Sequence, residues 1–325
     1  MAIAILWVIT RHCSFGTPGT LFSAIKETAT ITMEIFFTAS GIGCWYSLEK
    51  DNDAGRFYKR RFLKLFPIYW CMVIIWALFM RCCRNTSVPV LGNLLAIEYF
   101  ISPDQAYNWY ISAICIVYFL APLFKKIIDA CKNFRIKLAI FFLLTALSFV
   151  FWNNDNLLVI AYRIPSFYLG MCLASLDENY EIKKRDYIIL ALLFAAGAVM
   201  VYFNHQMVCY GNNPKGFAGY EYMPMAVGLC TAISIFFDFI SRSDFGKKLT
   251  GRVMRFGSHT LSIFLTHLFI FMLVFWEPDT QAKYVLLWIV RILLIFPFSV
   301  LLEFLGNKLR CLIEKIIDVA GKNEN

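Results

Sequence analysis

Phe57-Tyr58-Lys59-Arg60-Arg61-Phe62-Leu63-Lys64-Leu65-Phe66-Pro67 runs directly into an apolar stretch, Ile68 to Phe79. Four cations in six residues stop where hydrocarbon begins. A basic run at the edge of a long apolar segment is the mark of a membrane surface, where Lys and Arg anchor a spanning helix. The same cations can also hold an anion there. Arg61 and Lys64 are three apart, and Arg60 and Lys64 four apart, so on a helix all three share a face.

Working outward, the whole chain has this character. Of its 325 residues 59% are hydrophobic and only 16% charged, with a mean hydropathy of +0.62. Soluble domains carry about 25% charged residues, so the composition predicts an all-α polytopic membrane protein. The 32 Phe and 8 Trp suit lipid-facing helices and interfacial belts. A net charge of +9 would suggest nucleic acid in a soluble protein. Here the positive-inside bias accounts for it, and no nucleic-acid partner is expected. The 11 cysteines are an odd number, scattered through apolar segments without a C-x-x-C. They are read as small packing residues, with no disulfide framework and no metal site.

A spanning helix needs about 20 mainly apolar residues, and ten segments qualify as candidates. They are Ala2 to about Cys13 (cut short), Thr28 to Leu48, Phe66 to Cys83, Trp109 to Phe124, Ile136 to Trp152, Leu157 to Leu176, Tyr187 to Phe203, Tyr222 to Ile240, Leu261 to Trp276 and Tyr284 to Leu305. Loop signals separate them, such as Thr17-Pro18-Gly19, Asn153-Asn154-Asp155 and Gly211-Asn212-Asn213-Pro214. Most of the 31 Lys and Arg fall in alternate loops, at residues 50–64, 125–137, 183–185, 242–255 and 308–322. The intervening loops hold only Lys26, Arg81, Arg84, Lys215 and Lys283. Such one-sidedness predicts ten spans with both termini cytoplasmic. It places Arg60, Arg61 and Lys64 on the cytoplasmic side.

Charges inside hydrocarbon cost about 2.5–3.5 kcal/mol on insertion scales and mark function by default. His12 closes an apolar run, about 16 Å along a helix from Met1. Its neighbours Arg11 and Cys13 point elsewhere, because i and i+1 do not face each other. Glu34 lies inside the second span and wants a cation, with Arg11, Arg163 and Arg291 available, in a structural ion pair or a catalytic role. Arg163 sits at an expected kink, Tyr162-Arg163-Ile164-Pro165. Trp109-Tyr110 reads as an interfacial belt, and His267 lies within the ninth span. Arg11, Arg163, His267, Trp109 and Tyr110 are candidate cavity-lining residues. His205 and His259 are taken as incidental.

Three stretches together resemble the acyltransferase-3 family, polytopic O-acyltransferases of bacterial surface polysaccharides and related glycans. They are Ala4-Ile5-Leu6 through His12; Glu34-Ile35-Phe36-Phe37 to Ser40-Gly41 with Phe57 to Pro67; and Gly257 to His267. Trp109-Tyr110, Phe119-Leu120-Ala121-Pro122 and Pro165 to Gly170 are similar to further family blocks. The resemblance covers essentially the whole chain as a single domain, residues 1–325. It implies a cytoplasmic acyl-CoA donor, acetyl-CoA foremost, used as co-substrate with no permanently bound cofactor. It implies as acceptor a hydroxyl of a cell-surface glycan or its lipid-linked precursor, and residence in the cytoplasmic (inner) membrane. It assigns catalysis to His12 and Glu34, and acyl-CoA phosphates to Arg61, Lys64 and Arg60. His12 serves either as general base or as acyl carrier. Two departures stand out. The family's cation eleven residues before the His falls here on Met1, so an N-terminal piece of the first helix is expected upstream. The family's Arg-x-x-Arg becomes Arg61-Phe62-Leu63-Lys64, and Lys lacks the bidentate fork. The competing reading is a transporter or flippase for a glycan or small anion, motivated by the buried charges. Transporters often show repeated halves with matching broken helices, and no such symmetry is visible.

Overall fold

The computed structural model describes residues 1–12, 26, 28–176, 183–210, 219–275 and 279–323, and all regular structure among them is helical. The expectations placed on Cys13, Thr17 to Gly19, Gly211 to Pro214, Lys215 and the His205 side chain lie outside the described residues.

The helices are α1 (Ala2–Arg11), α2 (Ile31–Lys50), α3 (Ala54–Cys83), α4 (Val90–Leu94), α5 (Glu98–Ile101), α6 (Trp109–Ala130) and α7 (Phe134–Ser148). They continue as α8 (Asp155–Ala161), α9 (Arg163–Ala174), α10 (Lys184–Tyr210), α11 (Tyr222–Ile240), α12 (Asp244–Ser258), α13 (Thr260–Leu273) and α14 (Gln281–Asn323). Among the described residues, seven stretches are long and apolar enough to cross a membrane, or up to eight if α12 and α13 together form one span. The other two expected spans are helical as well. However, α1 has 10 residues, and the 20 residues of α2 are diluted by Glu34, Trp45, Tyr46 and small residues.

Several boundaries differ from the sequence expectation. Helix α3 starts at Ala54, twelve residues before Phe66, so the basic cluster lies within the helix. Asp53 makes this possible, because its side chain accepts the Arg56 backbone N–H at 2.7 Å and caps the extra turns. The basic tail expected after Leu305 continues α14 as helix. The basic loop before the ninth span is also a helix, α12, with Lys247, Lys248, Arg252 and Arg255 along one side.

The described residues sort into two compact units. In the first, from described parts of residues 1–11, 21–52 and 117–255, α2 and α9 are pressed backbone to backbone. A Cβ at Gly41 would lie 2.1 Å from the Phe167 carbonyl oxygen, and one at Gly170 2.1 Å from that of Thr38. Glycine at both crossing points is what lets these helices meet. Gly170→Ala is expected to cost about 1–3 kcal/mol through overpacking, seen as a lower melting temperature in detergent; an unchanged Tm would contradict this helix contact. Helix α9 is separated from α8 at Tyr162. Pro165 therefore falls in the first turn of α9, where no intrahelical N–H is needed. Lys125, expected to be a surface anchor, is 6% exposed. It bonds Glu49 and Asp129 at 2.9 and 2.8 Å and stands 4.1 Å over the Trp45 ring.

In the second unit, from described parts of residues 12–20, 53–116 and 256–325, α3 packs against α13 and α14. The segment between α3 and α6 is held by Asn93. Its side chain donates to the Pro89 and Gln105 carbonyls at 2.9 and 3.0 Å and accepts from the Tyr107 N–H at 2.6 Å. The Asn93 carbonyl takes the Tyr69 hydroxyl at 2.7 Å.

Candidate active site

In the second unit, α13 carries His267 into the interior, 1% exposed. Its Nδ1 lies 2.5 Å from the Phe264 carbonyl oxygen. A carbonyl only accepts, so Nδ1 holds the proton and Nε2 offers a lone pair. That Nε2 is buried without a hydrogen-bond partner among the described residues. The ring of His12, which follows α1 and is exposed, stands 5.3 Å from the His267 ring centroid at 51°. Phe271 completes the cluster, 6.0 Å from His12 and 6.5 Å from His267.

Aromatic groups fix α13 from the other side. Tyr107 donates its hydroxyl to the Leu265 carbonyl and rests 5.2 Å from Trp76. Tyr110 lies 4.7 Å from Phe264, with Trp109 edge-on at 6.2 Å. Tyr110 is buried against Phe264, whose ring lies 5.2 Å from that of His267, while Trp109 is half-buried. Arg291 donates to the Val274 carbonyl through Nε and Nη2 at 3.0 and 2.9 Å and covers Phe271 at 4.6 Å. A cation there satisfies a carbonyl at the C-terminal end of α13.

The basic cluster belongs to the same unit. Arg60 and Lys64 are exposed on α3 and Arg61 is half-buried, its guanidinium 5.2 Å over Phe57. Trp76 and Phe79 on α3 mark the level of α13, through Tyr107 and the Phe79–Phe269 ring contact at 5.4 Å. From Lys64 to those residues is about 18–22 Å along the helix.

Glu34 and Arg163 lie in the first unit, 0% and 2% exposed. Arg163 Nε is 3.6 Å from Glu34 Oε1, and Ser166 donates its hydroxyl to Oε2. The guanidinium also covers Tyr162 at 4.3 Å and donates to the Val159 carbonyl. Of the three arginines available to Glu34, the fold therefore supplies Arg163. Arg291 is committed to α13, and Arg11 is exposed at the end of α1. A second carboxylate, Glu221, is 1% exposed and accepts the Gly219 N–H at 2.9 Å; burial pushes its pKa up. Sequence reasoning passed over Glu221, whose only signal is an acidic residue abutting an apolar run. It also set aside His259, whose Nδ1 meets Glu303 Oε2 at 2.5 Å, with Ser262 donating to the same oxygen at 3.3 Å.

A family model described as an acyltransferase domain matches residues 2–306. The chain belongs to the acyltransferase-3 family. The match spans nearly the whole chain, from α1 into α14, and makes the protein a multi-pass membrane acyltransferase. No curated protein and no solved structure matches it. An acyltransferase needs a donor site, an acceptor site and a group that manages the hydroxyl proton.

Proposed function

We propose that the protein transfers an acyl group, acetyl in the first instance, from cytoplasmic acyl-CoA to a hydroxyl of a cell-surface glycan or its lipid-linked precursor. The observation that carries this reading is the placing of His12. Its exposed ring stands 5.3 Å from the buried His267 ring on α13, and the residues of α3 at the level of α13 lie about 18–22 Å along the helix from Lys64. Arg60, Arg61 and Lys64 take the phosphates of the coenzyme. The extended pantetheine arm then runs toward His12. Charge alternation supports the cytoplasmic placing of that cluster.

The chemistry balances with the residues present. The acceptor O–H gives its proton to a ring nitrogen of His12. The oxygen attacks the thioester carbonyl carbon, the C–S bond breaks, and the departing thiolate takes the proton from the imidazolium. A path through an acyl-His12 intermediate uses the same groups in two steps.

The cationic patch has its own test. Arg61→Ala and Lys64→Ala are expected to raise the KM for acetyl-CoA by about tenfold each, the worth of a charge-assisted bond at a partly exposed site, with kcat little changed. An unchanged KM returns the patch to the role of a membrane anchor. The decisive assay is thiol release and acetyl transfer from acetyl-CoA in membranes holding wild type or His12→Ala. Thiol release separates this function from transport of a glycan or anion, which liberates no thiol.

A further inference from the structure

Every buried polar atom is expected to have a partner, and His267 Nε2 has none among the described residues. Its state is nevertheless defined. Because Nδ1–H is spent on the Phe264 carbonyl at 2.5 Å, Nε2 can only accept. Among the described residues neither ring nitrogen meets a carboxylate. Arg291, which covers Phe271, is turned onto the Val274 carbonyl. The polar ring recorded against His267 is His12, at a centroid separation of 5.3 Å. Two imidazoles joined by an N–H···N bond of about 2.9 Å have centroids roughly 5 Å apart, so the two rings stand at a separation that suits such a bond.

We infer that His267 is the positioning residue for His12: its buried Nε2 accepts one N–H of His12, which fixes that ring's tautomer and leaves the other His12 nitrogen unprotonated toward the acceptor hydroxyl. This rests on His12 acting as general base. In that step the hydroxyl proton moves to the free His12 nitrogen, and the imidazolium formed keeps its other N–H on His267. The proton then leaves with the thiolate, and His267 never changes its own proton count. A carboxylate holds the base in serine hydrolases. A neutral imidazole does this without placing a second charge in an apolar setting, where charge is costly. The backbone carbonyl of Phe264 sets the direction, because only with Nδ1 protonated is Nε2 an acceptor.

The two imidazole nitrogens can be tested separately, since Asn occupies the Nδ1 position and Gln the Nε2 position. His267→Asn keeps a donor for the Phe264 carbonyl and leaves nothing for His12. His267→Gln brings a carbonyl oxygen to where Nε2 was. With the full chain in membranes and acetyl-CoA as the probe, His267→Asn is expected to lower kcat by about 10–100-fold, as loss of an orienting partner does. The KM for acetyl-CoA should stay within about twofold, since only transition-state stabilisation is lost. His267→Gln should recover most of the rate. His12→Ala/His267→Asn should be no slower than His12→Ala alone, because a positioning residue has nothing left to position.

Equal rates for wild type and His267→Asn, alongside a dead His12→Ala, would overturn this inference and leave the base reading standing. Multiplying losses in the double variant would overturn it too, as would a folded His267→Gln no faster than His267→Asn. Wild-type turnover by His12→Ala would instead remove the base reading itself. Melting temperature and elution profile in detergent identify a variant that fails to fold. Should His267→Asn be one, the rate of a folded His267→Gln, near wild type or near His12→Ala, still decides.

Discussion

His12→Ala is expected to reduce acyl transfer from acetyl-CoA by about 10²–10⁴-fold, the usual worth of general acid–base catalysis. The effect should appear in kcat, because the proposed coenzyme site lies elsewhere, on α3. The ring of His12 is exposed. The melting temperature should therefore move by no more than a surface substitution moves it, within about 0.5 kcal/mol of stability. Thiol release measured in membranes and Tm in detergent separate the two effects. A variant as active as wild type would end the role of His12. Rapid quenching with mass analysis of the His12 peptide distinguishes its two chemical roles. An acetylated peptide accumulates if His12 carries the acyl group, and none forms if it only moves the proton.

Arg163→Met is expected to destabilise the protein by about 3–5 kcal/mol, the cost of stranding a buried charge by removing its partner. Glu34 has no exposure at all, and the hydroxyl of Ser166 is then its remaining recorded support. Glu34→Gln/Arg163→Met should recover much of the loss, because a neutral amide can still take the Ser166 hydroxyl while Met fills the space of the guanidinium stem. Thermal melts of the two variants in one detergent measure this. A stable Arg163→Met would mean that the pair does not hold α2 to α9. Glu34→Gln alone decides between structure and chemistry for this carboxylate. Unchanged Tm with lost turnover assigns Glu34 to catalysis, whereas lower Tm with proportionate turnover assigns it to the fold.

Much of the architecture was legible in the chain. Long apolar runs broken by Gly, Pro, Asn and Asp reappear as helices because the bilayer leaves the backbone few other ways to satisfy its hydrogen bonds. Helix ends were less legible. The start of α3 depends on a single cap, Asp53, and hydropathy does not register a polar turn that stays helical. The same blindness hid α12 and the extension of α14, since charged helices look like loops on a hydropathy scale.

The candidate site was legible as a set of residue types. His12, Glu34, Arg61, Lys64, Arg163 and His267 stood out because ionisable groups are rare in apolar runs. Which of them meet was not legible. Glu34 had three arginines to choose from, and the choice of Arg163 follows from α2 and α9 touching at Gly41 and Gly170. His259 looked incidental because its partner Glu303 lies 44 residues away.

By itself, then, the sequence determined that this is a helical membrane acyltransferase and named the residues able to bear charge and protons, because composition, periodicity and motif order are one-dimensional. Only the tertiary structure decided the pairings: Glu34 with Arg163 in one unit, and His12 over His267 in the other. The physical reason is that hydrogen bonds and ring contacts act over a few ångströms. Residues separated by 129 and 255 positions along the chain come within that range only when glycine-lined helices and a tyrosine-braced α13 bring them there.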